Sequence, residues 1–378
     1  MLNDSRVRQR ELRDPHAAPL TATAPLESPS PSVTVIVPAF NEESGIRDTL
    51  DALARQTQPP AQIIVVDDCS TDRTAEVARE YEVSVLRTPA NLGSKARAQN
   101  YALPHCDTDL VLPVDADTVL ADDYVERIVR PFADPDVVVA AGAVQTKITR
   151  TLTERGRSIE YLFGFHYYRP VQQLANSVVV CSGCCSAFRR ETLVAFGGFP
   201  ERTIVEDMDY TWSQQIMGMK AVYVSGAVAW AADPASVKFL RKQVWRWMSG
   251  FFQNVRIHWR DLLRRKRMLA LWIALALVEI CMAPIWWISP VLLPLVFHMS
   301  FVGVMSWWFG LETAMLLPPL LYACVRRRLN PARVLFNIPC VYFNKAFNTY
   351  YAWKALIVEL VLVPLGLSNG LVIYEKGR

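Results

Sequence analysis

The sequence predicts an α/β domain, a mainly parallel sheet flanked by helices, followed by interfacial and membrane-spanning helices. Three observations predict it. Short β-branched runs alternate with segments of helical apolar spacing over the first half of the chain. From Met268 to Ile373 the chain is mostly long aliphatic and aromatic runs. Between these parts, Leu240 to Trp259 interleaves tryptophan and phenylalanine with arginine and lysine, a mixture suited to a lipid headgroup layer. At 378 residues and 52% hydrophobic, the chain is too apolar for an ordinary soluble enzyme, so one soluble and one membrane domain is the simplest partition.

The elements follow in order. Residues 1–31, ending in "TATAPLESPSP", lack hydrophobic periodicity and are expected to be a disordered leader, with no signal peptide. The strands expected next are "VTVIVPAF", "QIIVVDD", "VSVLRTP", "LVLPVDAD" and "VVVAAGAV". "ESGIRDTLDALARQ" and "TDRTAEVAREY" between the first of them are helical, which makes a βαβ rhythm and hence parallel pairing. After Gly142, "SIEYLFGFHYYRPVQQLANS" is expected to be helical, "SVVVCSGCCSAFRRETL" a strand turning into a helix, and "KAVYVSGAVAWAADP" a strand pair or extended segment. The soluble domain is thus expected over 32–234, interfacial helices over 235–267, and a membrane region over 268–378. Leu269–Ser289 and Gly303–Val325 are long enough to span, with "PVLLPLVFHMSFV" as an outer turn or partial insertion. "VLFNIPCVYFNKAFNTYYA" is too polar for a clear span and "ALIVELVLVPLGLSNGLVI" is better, giving roughly three or four crossings in all.

The net charge of +4 matters less than its placement. "RRKR" (Arg264–Arg267) and "RRRLNPAR" (Arg326–Arg333) flank apolar spans, which puts both on the cytoplasmic side with an even number of crossings between them. Their juxtamembrane position argues against nucleic acid as a partner. The eight cysteines sit mostly in apolar segments and are expected to be thiols. "CSGCC" lacks the second Cys or His pair of a zinc site. Glu279, Glu312, Lys345 and Glu359 within the apolar region either line a polar route or pair between helices.

Acids crowd at two kinds of place. Asp67 and Asp68 end one strand, and Asp115 and Asp117 another, where ligands of parallel sheets bind. A pair two apart can offer one carboxylate to a divalent cation and one to a sugar or ribose hydroxyl. Mg²⁺ or Mn²⁺ held by so few carboxylates completes its shell with phosphate oxygens, so the implied substrate is a diphosphate. Glu206, Asp207 and Asp209 crowd a second stretch, where a solvated helix face is the bland alternative.

"VTVIVPAFNEE", "IIVVDDCSTDRT", "TPANLGSKARAQN", "DADT", "GGFPERTIVEDMD" and "QVWRW" occur in one order in one chain. Together they closely resemble the family 2 glycosyltransferases, specifically the processive membrane-embedded synthases of hyaluronan, chitin oligosaccharides, cellulose and poly-N-acetylglucosamine. The resemblance covers Val33 to Trp259 motif by motif. It implies the GT-A fold, with Pro38, Phe40, Glu42 and Asp68 at the uridine of a UDP-sugar donor, Lys95 at its phosphates, Asp115 at the nucleoside and metal, and Asp117 at the metal. Asp207 is implied as general base, Arg246 as a diphosphate ligand, and Gln243 and Trp247 as acceptor-binding, Trp247 by stacking on the acceptor sugar.

The function so implied is inverting transfer from a UDP-sugar, with N-acetylglucosamine favoured, to a growing polysaccharide at the cytoplasmic membrane face, coupled to export. The alternatives are single addition to a polyprenyl-phosphate or other fixed acceptor, and a non-catalytic nucleotide-sugar transporter or scaffold. Two departures stand out: Val244 follows Gln243 where relatives carry arginine, and thiols fill "CSGCCSAF". Relatives often carry N-terminal spans that this sequence lacks, so a homo-oligomer or partner protein is expected as a way of completing a channel.

Overall fold

The computed structural model describes residues 30–370. The expected leader lies almost wholly outside them, as do the last residues of "ALIVELVLVPLGLSNGLVI". The first half alternates strand and helix as its periodicity requires: β1 (Val33–Ala39), α1 (Ile46–Ala54), β2 (Gln62–Asp67), α2 (Thr74–Ala78), β3 (Ser84–Arg87), α3 (Lys95–Ala102), β4 (Leu110–Pro113), β5 (Val119–Leu120), α4 (Tyr124–Val129) and β6 (Val137–Thr146). There follow α5 (Leu152–Phe163), a π-helical turn (Gly164–Tyr168), α6 (Arg169–Leu174), β7 (Ser186–Arg189), α7 (Arg190–Ala195), α8 (Glu206–Ile216) and β8 (Lys220–Ala231).

The eight strands form one mixed sheet in the order β3-β2-β1-β4-β7-β6-β8-β5. Its β3-β2-β1-β4 half is parallel, as the βαβ rhythm requires. β7 inserts antiparallel between β4 and β6, which separates the two parallel sets. Because the chain runs from β1 outward to β3 and then returns to β4 on the other side, the order reverses at β1. A crevice therefore opens at the carboxyl ends of β1 and β4. Val35, Ile36, Ile64, Val65, Leu110 and Leu112 are fully buried on both faces of this half, which explains the continuous apolar runs.

Two segments refine or depart from their sequence expectation for visible reasons. Of the strand pair or extended segment expected at "KAVYVSGAVAWAADP", the structure forms a single extended strand with a bulge: β8 pairs with β6 up to Gly142↔Val224 and resumes at Ala143↔Val228, so Ser225–Ala227 bulge out. "VVV" at Val178–Val180 joins no strand. Its backbone is satisfied by α8 side chains instead, Gln215 Nε2 donating to Val178 O at 2.8 Å and Trp212 Nε1 to Val179 O at 2.7 Å.

The remaining helices are α9 (Val237–Arg265), α10 (Arg267–Phe297), α11 (Phe301–Arg327) and α12 (Pro331–Ile357). Among the described residues, α10 and α11 are long and apolar enough to cross a membrane. The stretch expected as an outer turn instead continues α10 to Phe297, and the reversal is confined to 298–300, with His298 left-handed at φ 52°. The two basic clusters thus sit at the outer ends of a helical hairpin, at the start of α10 and the end of α11. α12 carries its polarity on the side that meets the soluble domain. Asn344 Nδ2 donates to Thr153 O at 3.0 Å and Asn348 Nδ2 to Glu160 Oε1 at 2.9 Å, both on α5. The crossing is tight: a Cβ at Gly156 would stand 2.6 Å from Cys340 O. Of the four ionisable residues in the apolar region, Lys345 and Glu312 form an ion pair at 2.7 Å between α12 and α11. Buried Glu359 accepts from Gln253 Nε2 of α9 at 3.0 Å, whereas Glu279 is exposed.

Candidate active site

The end of β1 and the end of β2 are stitched together. Asn41 and Cys69 adopt left-handed conformations at φ 53° and 61°. The Asn41 N–H donates to Ser70 Oγ at 3.0 Å and Asn41 Oδ1 accepts from the Thr71 N–H at 2.8 Å. Pro38 lies in β1 opposite Val66, and Phe40 follows directly. Glu42 is buried, and its N–H donates to Thr74 Oγ1 at 2.8 Å. Asp68 is also buried, and its Oδ1 accepts from Thr88 Oγ1 at 3.0 Å and from the Leu92 N–H at 2.8 Å. Asp68 thereby ties down the loop that leads into α3, whose first residue is Lys95. Ser94 caps that helix through the Arg97 N–H.

Lys95 reaches across the crevice. Its ammonium forms an ion pair with Asp115 and donates to Gly183 O at 2.9 Å. Burial alone would lower the Lys95 pKa, but the carboxylates of Asp115 and Glu206 outweigh it and hold the group charged well above its usual range. Gly183 faces the other way as well: its N–H donates to Asp207 Oδ2 at 2.6 Å. A Cβ at Gly183 would stand 3.3 Å from Asp207 Oδ2 and 3.4 Å from Glu206 Oε1, so a residue without a side chain lets the first turn of α8 approach. Lys95, Asp115, Gly183 and Asp207 therefore form one continuous chain of contacts.

The three acids of the "EDMD" stretch divide by environment. Asp209 is fully buried and accepts from Arg202 at 2.8 and 2.7 Å and from His258 Nε2 of α9 at 2.8 Å. Burial raises its pKa, but these partners prevail and leave the carboxyl below its ordinary value. It is a clasp between α8 and α9. Glu206 is pushed up to about 7, first by burial and then by the neighbouring charge of Asp207, with Lys95 and Arg246 opposing. The influence of Arg246 on Glu206 brings α9 and its "QVWRW" stretch to the same cleft. A further close approach fixes that helix: a Cβ at Gly250 would stand 1.8 Å from Val205 Cγ2, one residue before Glu206.

Gln243 and Trp247 both meet one residue that the sequence reading missed. Arg157 of α5 is buried, donates to Gln243 Oε1 at 3.0 Å and Glu160 Oε2 at 2.6 Å, and lies 4.8 Å from the Trp247 ring centroid. The available signal was the Arg157–Glu160 pair at i,i+3 within "RSIE", a spacing that joins charges on one helix face. Tyr161 and Cys184 pack against the same buried core, and burial first, then the charge of Asp233, pushes the Tyr161 hydroxyl well above its ordinary value.

Asp115 and Asp117 flank the turn after β4. Asp117 lies beside Glu42, each 3.4 Å from where a Cβ on Gly45 would fall. Among the described residues, no three His, Cys, Asp or Glu side chains converge as a metal cage. Two hard carboxylates on one turn nevertheless fit a cation that draws its remaining ligands from a diphosphate.

A sheet with a crevice at its switch point, carboxylates on the strand ends and a lysine facing them has the architecture of the GT-A glycosyltransferase fold. Residues 34–196 match the family described as glycosyl transferase family 2. It is 32% identical to an N-acetylglucosaminyltransferase of Rhizobium meliloti, the match covering 64% of this chain and 60% of the relative. It is 31% identical to a hyaluronan synthase of Streptococcus pyogenes, over 64% of this chain and 61% of the relative. The chain thus spans less than two thirds of either relative's length. Among solved structures, a mannosyltransferase from Pyrobaculum calidifontis in complex with GDP-Man and Mn²⁺ shares the fold, with a TM-score of 0.62 at 22% identity, covering 90% of this chain and 93% of that one.

Proposed function

We propose that this chain is an inverting glycosyltransferase that moves a sugar, N-acetylglucosamine by preference, from a UDP-sugar to a hydroxyl of a growing polysaccharide at the cytoplasmic face of a membrane. The observation that carries the reading is the contact chain from Asp115 through Lys95 and Gly183 to Asp207. It holds a group suited to diphosphate and a group suited to a hydroxyl proton on either side of a single residue. Lys95 and Arg246 bind the diphosphate, and Asp207 takes the proton of the acceptor hydroxyl as its oxygen attacks the anomeric carbon. Attack from the face opposite the leaving nucleotide inverts that centre and needs no covalent enzyme intermediate. Asp115 and Asp117 would hold Mg²⁺ or Mn²⁺, which supplies charge neutralisation for the leaving diphosphate. Pro38, Phe40, Glu42 and Asp68 frame the uridine, and Trp247 offers an aromatic face to the acceptor sugar. The N-acetylglucosaminyltransferase named above supports the choice of donor.

Membranes bearing the chain are tested with a panel of UDP-sugars and Mn²⁺ for UDP release and for product length. UDP release above background with UDP-N-acetylglucosamine and a ladder of products is expected, with both lost in EDTA. A single added sugar would favour the fixed-acceptor reading, and no release with any donor would exclude transfer.

A further inference from the structure

The thiols of the Gly183 loop have no part in the proposed chemistry, yet they are arranged as a pair. Cys184 Sγ and Cys185 Sγ lie 3.7 Å apart on adjacent residues. Cys184 is partly exposed and Cys185 is buried. Adjacent Cα atoms across a trans peptide are about 3.8 Å apart, short of the roughly 4.4–6.8 Å that an unstrained disulfide spans, so direct S–S closure is disfavoured. The sulfur separation suits a single bridging atom instead. Two bonds of about 2.3 Å to one bridging atom place their sulfurs roughly 3.2 to 3.8 Å apart as the angle between them opens from about 90 to 110°, so these thiols lie within reach of one bridge. Since no third ligating side chain converges with them among the described residues, the species that fits needs only two bonds from the protein. A monosubstituted trivalent arsenical meets that requirement.

We propose that Cys184 and Cys185 form a dithiol site for trivalent arsenicals of the aryl or alkyl arsenous class, and that filling it disables the neighbouring cleft. With phenylarsine oxide, two As–S bonds form and the arsenic–oxygen bond is lost. The two thiol protons leave with that oxygen as one water, and arsenic stays trivalent. The first bond forms at accessible Cys184 and the second closes inward on Cys185. The backbone on either side is committed to the active site: Cys184 O accepts from the Asp115 N–H at 3.4 Å, and Gly183 bridges Lys95 and Asp207. A bulky arsenic substituent in this loop displaces those contacts. The binding stands on the thiol geometry alone, whereas its effect on transfer rests on the proposed function.

The test uses the full-length chain in detergent with phenylarsine oxide, read by intact mass and by maleimide counting of free thiols. One adduct with the loss of two thiols is expected, reversed by 2,3-dimercaptopropanol but not by an equal thiol concentration of a monothiol. It should be absent from Cys184→Ser and from Cys185→Ser, and retained in Cys69→Ser. An adduct that persists in both single variants, or no stoichiometric adduct in the unaltered chain, overturns the site. UDP release from a UDP-sugar should fall at least tenfold as the adduct forms and recover with the dithiol. Full adduct with undiminished release would overturn the link to the cleft. An untreated chain with no release would count against the proposed function, while the mass measurement would still decide the site.

Discussion

The Arg157 guanidinium stands 4.8 Å from the centroid of the Trp247 ring and also donates to Gln243 Oε1. One buried cation on α5 thereby fixes two residues of "QVWRW" on α9. Because Glu160, its ion-pair partner, is itself held by Asn348 of α12, this position connects the cleft to α12. Arg157→Gln removes the cation–π contact and leaves Glu160 without its charge partner. The combined loss is about 1–3 kcal/mol, so the acceptor KM is expected to rise roughly tenfold or more. UDP release without acceptor should change little. Equal effects on both would show that Arg157 acts on the donor side.

Glu206 gives the cleft a pH dependence. With its pKa pushed up to about 7, it is neutral below that pH and ionised above it. The ionised form competes with a diphosphate for Lys95 and Arg246, so UDP affinity is expected to weaken between pH 6 and 8. In Glu206→Gln that change should vanish. Calorimetric titration of UDP at the two pH values checks it, and an unaltered pH dependence in the variant would assign the effect elsewhere.

Asp209 and Asp207 should separate cleanly. Asp209→Asn breaks the contacts of a buried carboxylate with half-exposed Arg202 and buried His258, and a loss of roughly 1.5–3 kcal/mol in stability is expected. The lowered Asp209 pKa fixes the sign of its acid dependence. Its stabilisation is present above the unfolded value of about 3.9 and is lost as pH falls through the lower folded value. Thermal unfolding midpoints in detergent should therefore fall for Asp209→Asn, and the difference from the unaltered chain should shrink in strong acid.

Gly250 marks the closest approach of α9 to the segment that carries Asp207. Gly250→Ala drives a methyl group into Val205 and is expected to cost about 1–3 kcal/mol of stability. Val205→Ala in the same chain should recover part of it, because the Cγ2 methyl at 1.8 Å is removed while the Val205 Cβ at 2.8 Å stays. Additive losses in the double variant would mean the helix yields elsewhere.

The strand ends were legible in the sequence because β-branched runs leave few alternatives and a parallel sheet places their carboxyl ends together. Lys95, Asp115 and Asp207 could be named from ordered motifs, and they share one chain of contacts. Gly183 could not be named, since its importance lies in a side chain it lacks and in neighbours from α3 and α8. Arg157 and Glu160 could not be named either, because their partners Gln243, Trp247 and Asn348 come from segments far along the chain. The polarity of α12, which blurs a membrane reading of its sequence, is explained by Asn344 and Asn348 bonding α5. β8 could be read as a strand pair or an extended segment because Gly226 sits within its bulge.

The central claim is that Asp207 removes the acceptor proton in a cleft shared with Lys95 and Asp115. Transfer of labelled sugar from its UDP donor by membranes carrying Asp207→Asn, at matched protein level, tests it most directly. A fall of about a hundredfold or more, with UDP binding and the unfolding midpoint retained, is the expected result. Transfer at the rate of the unaltered chain would contradict it.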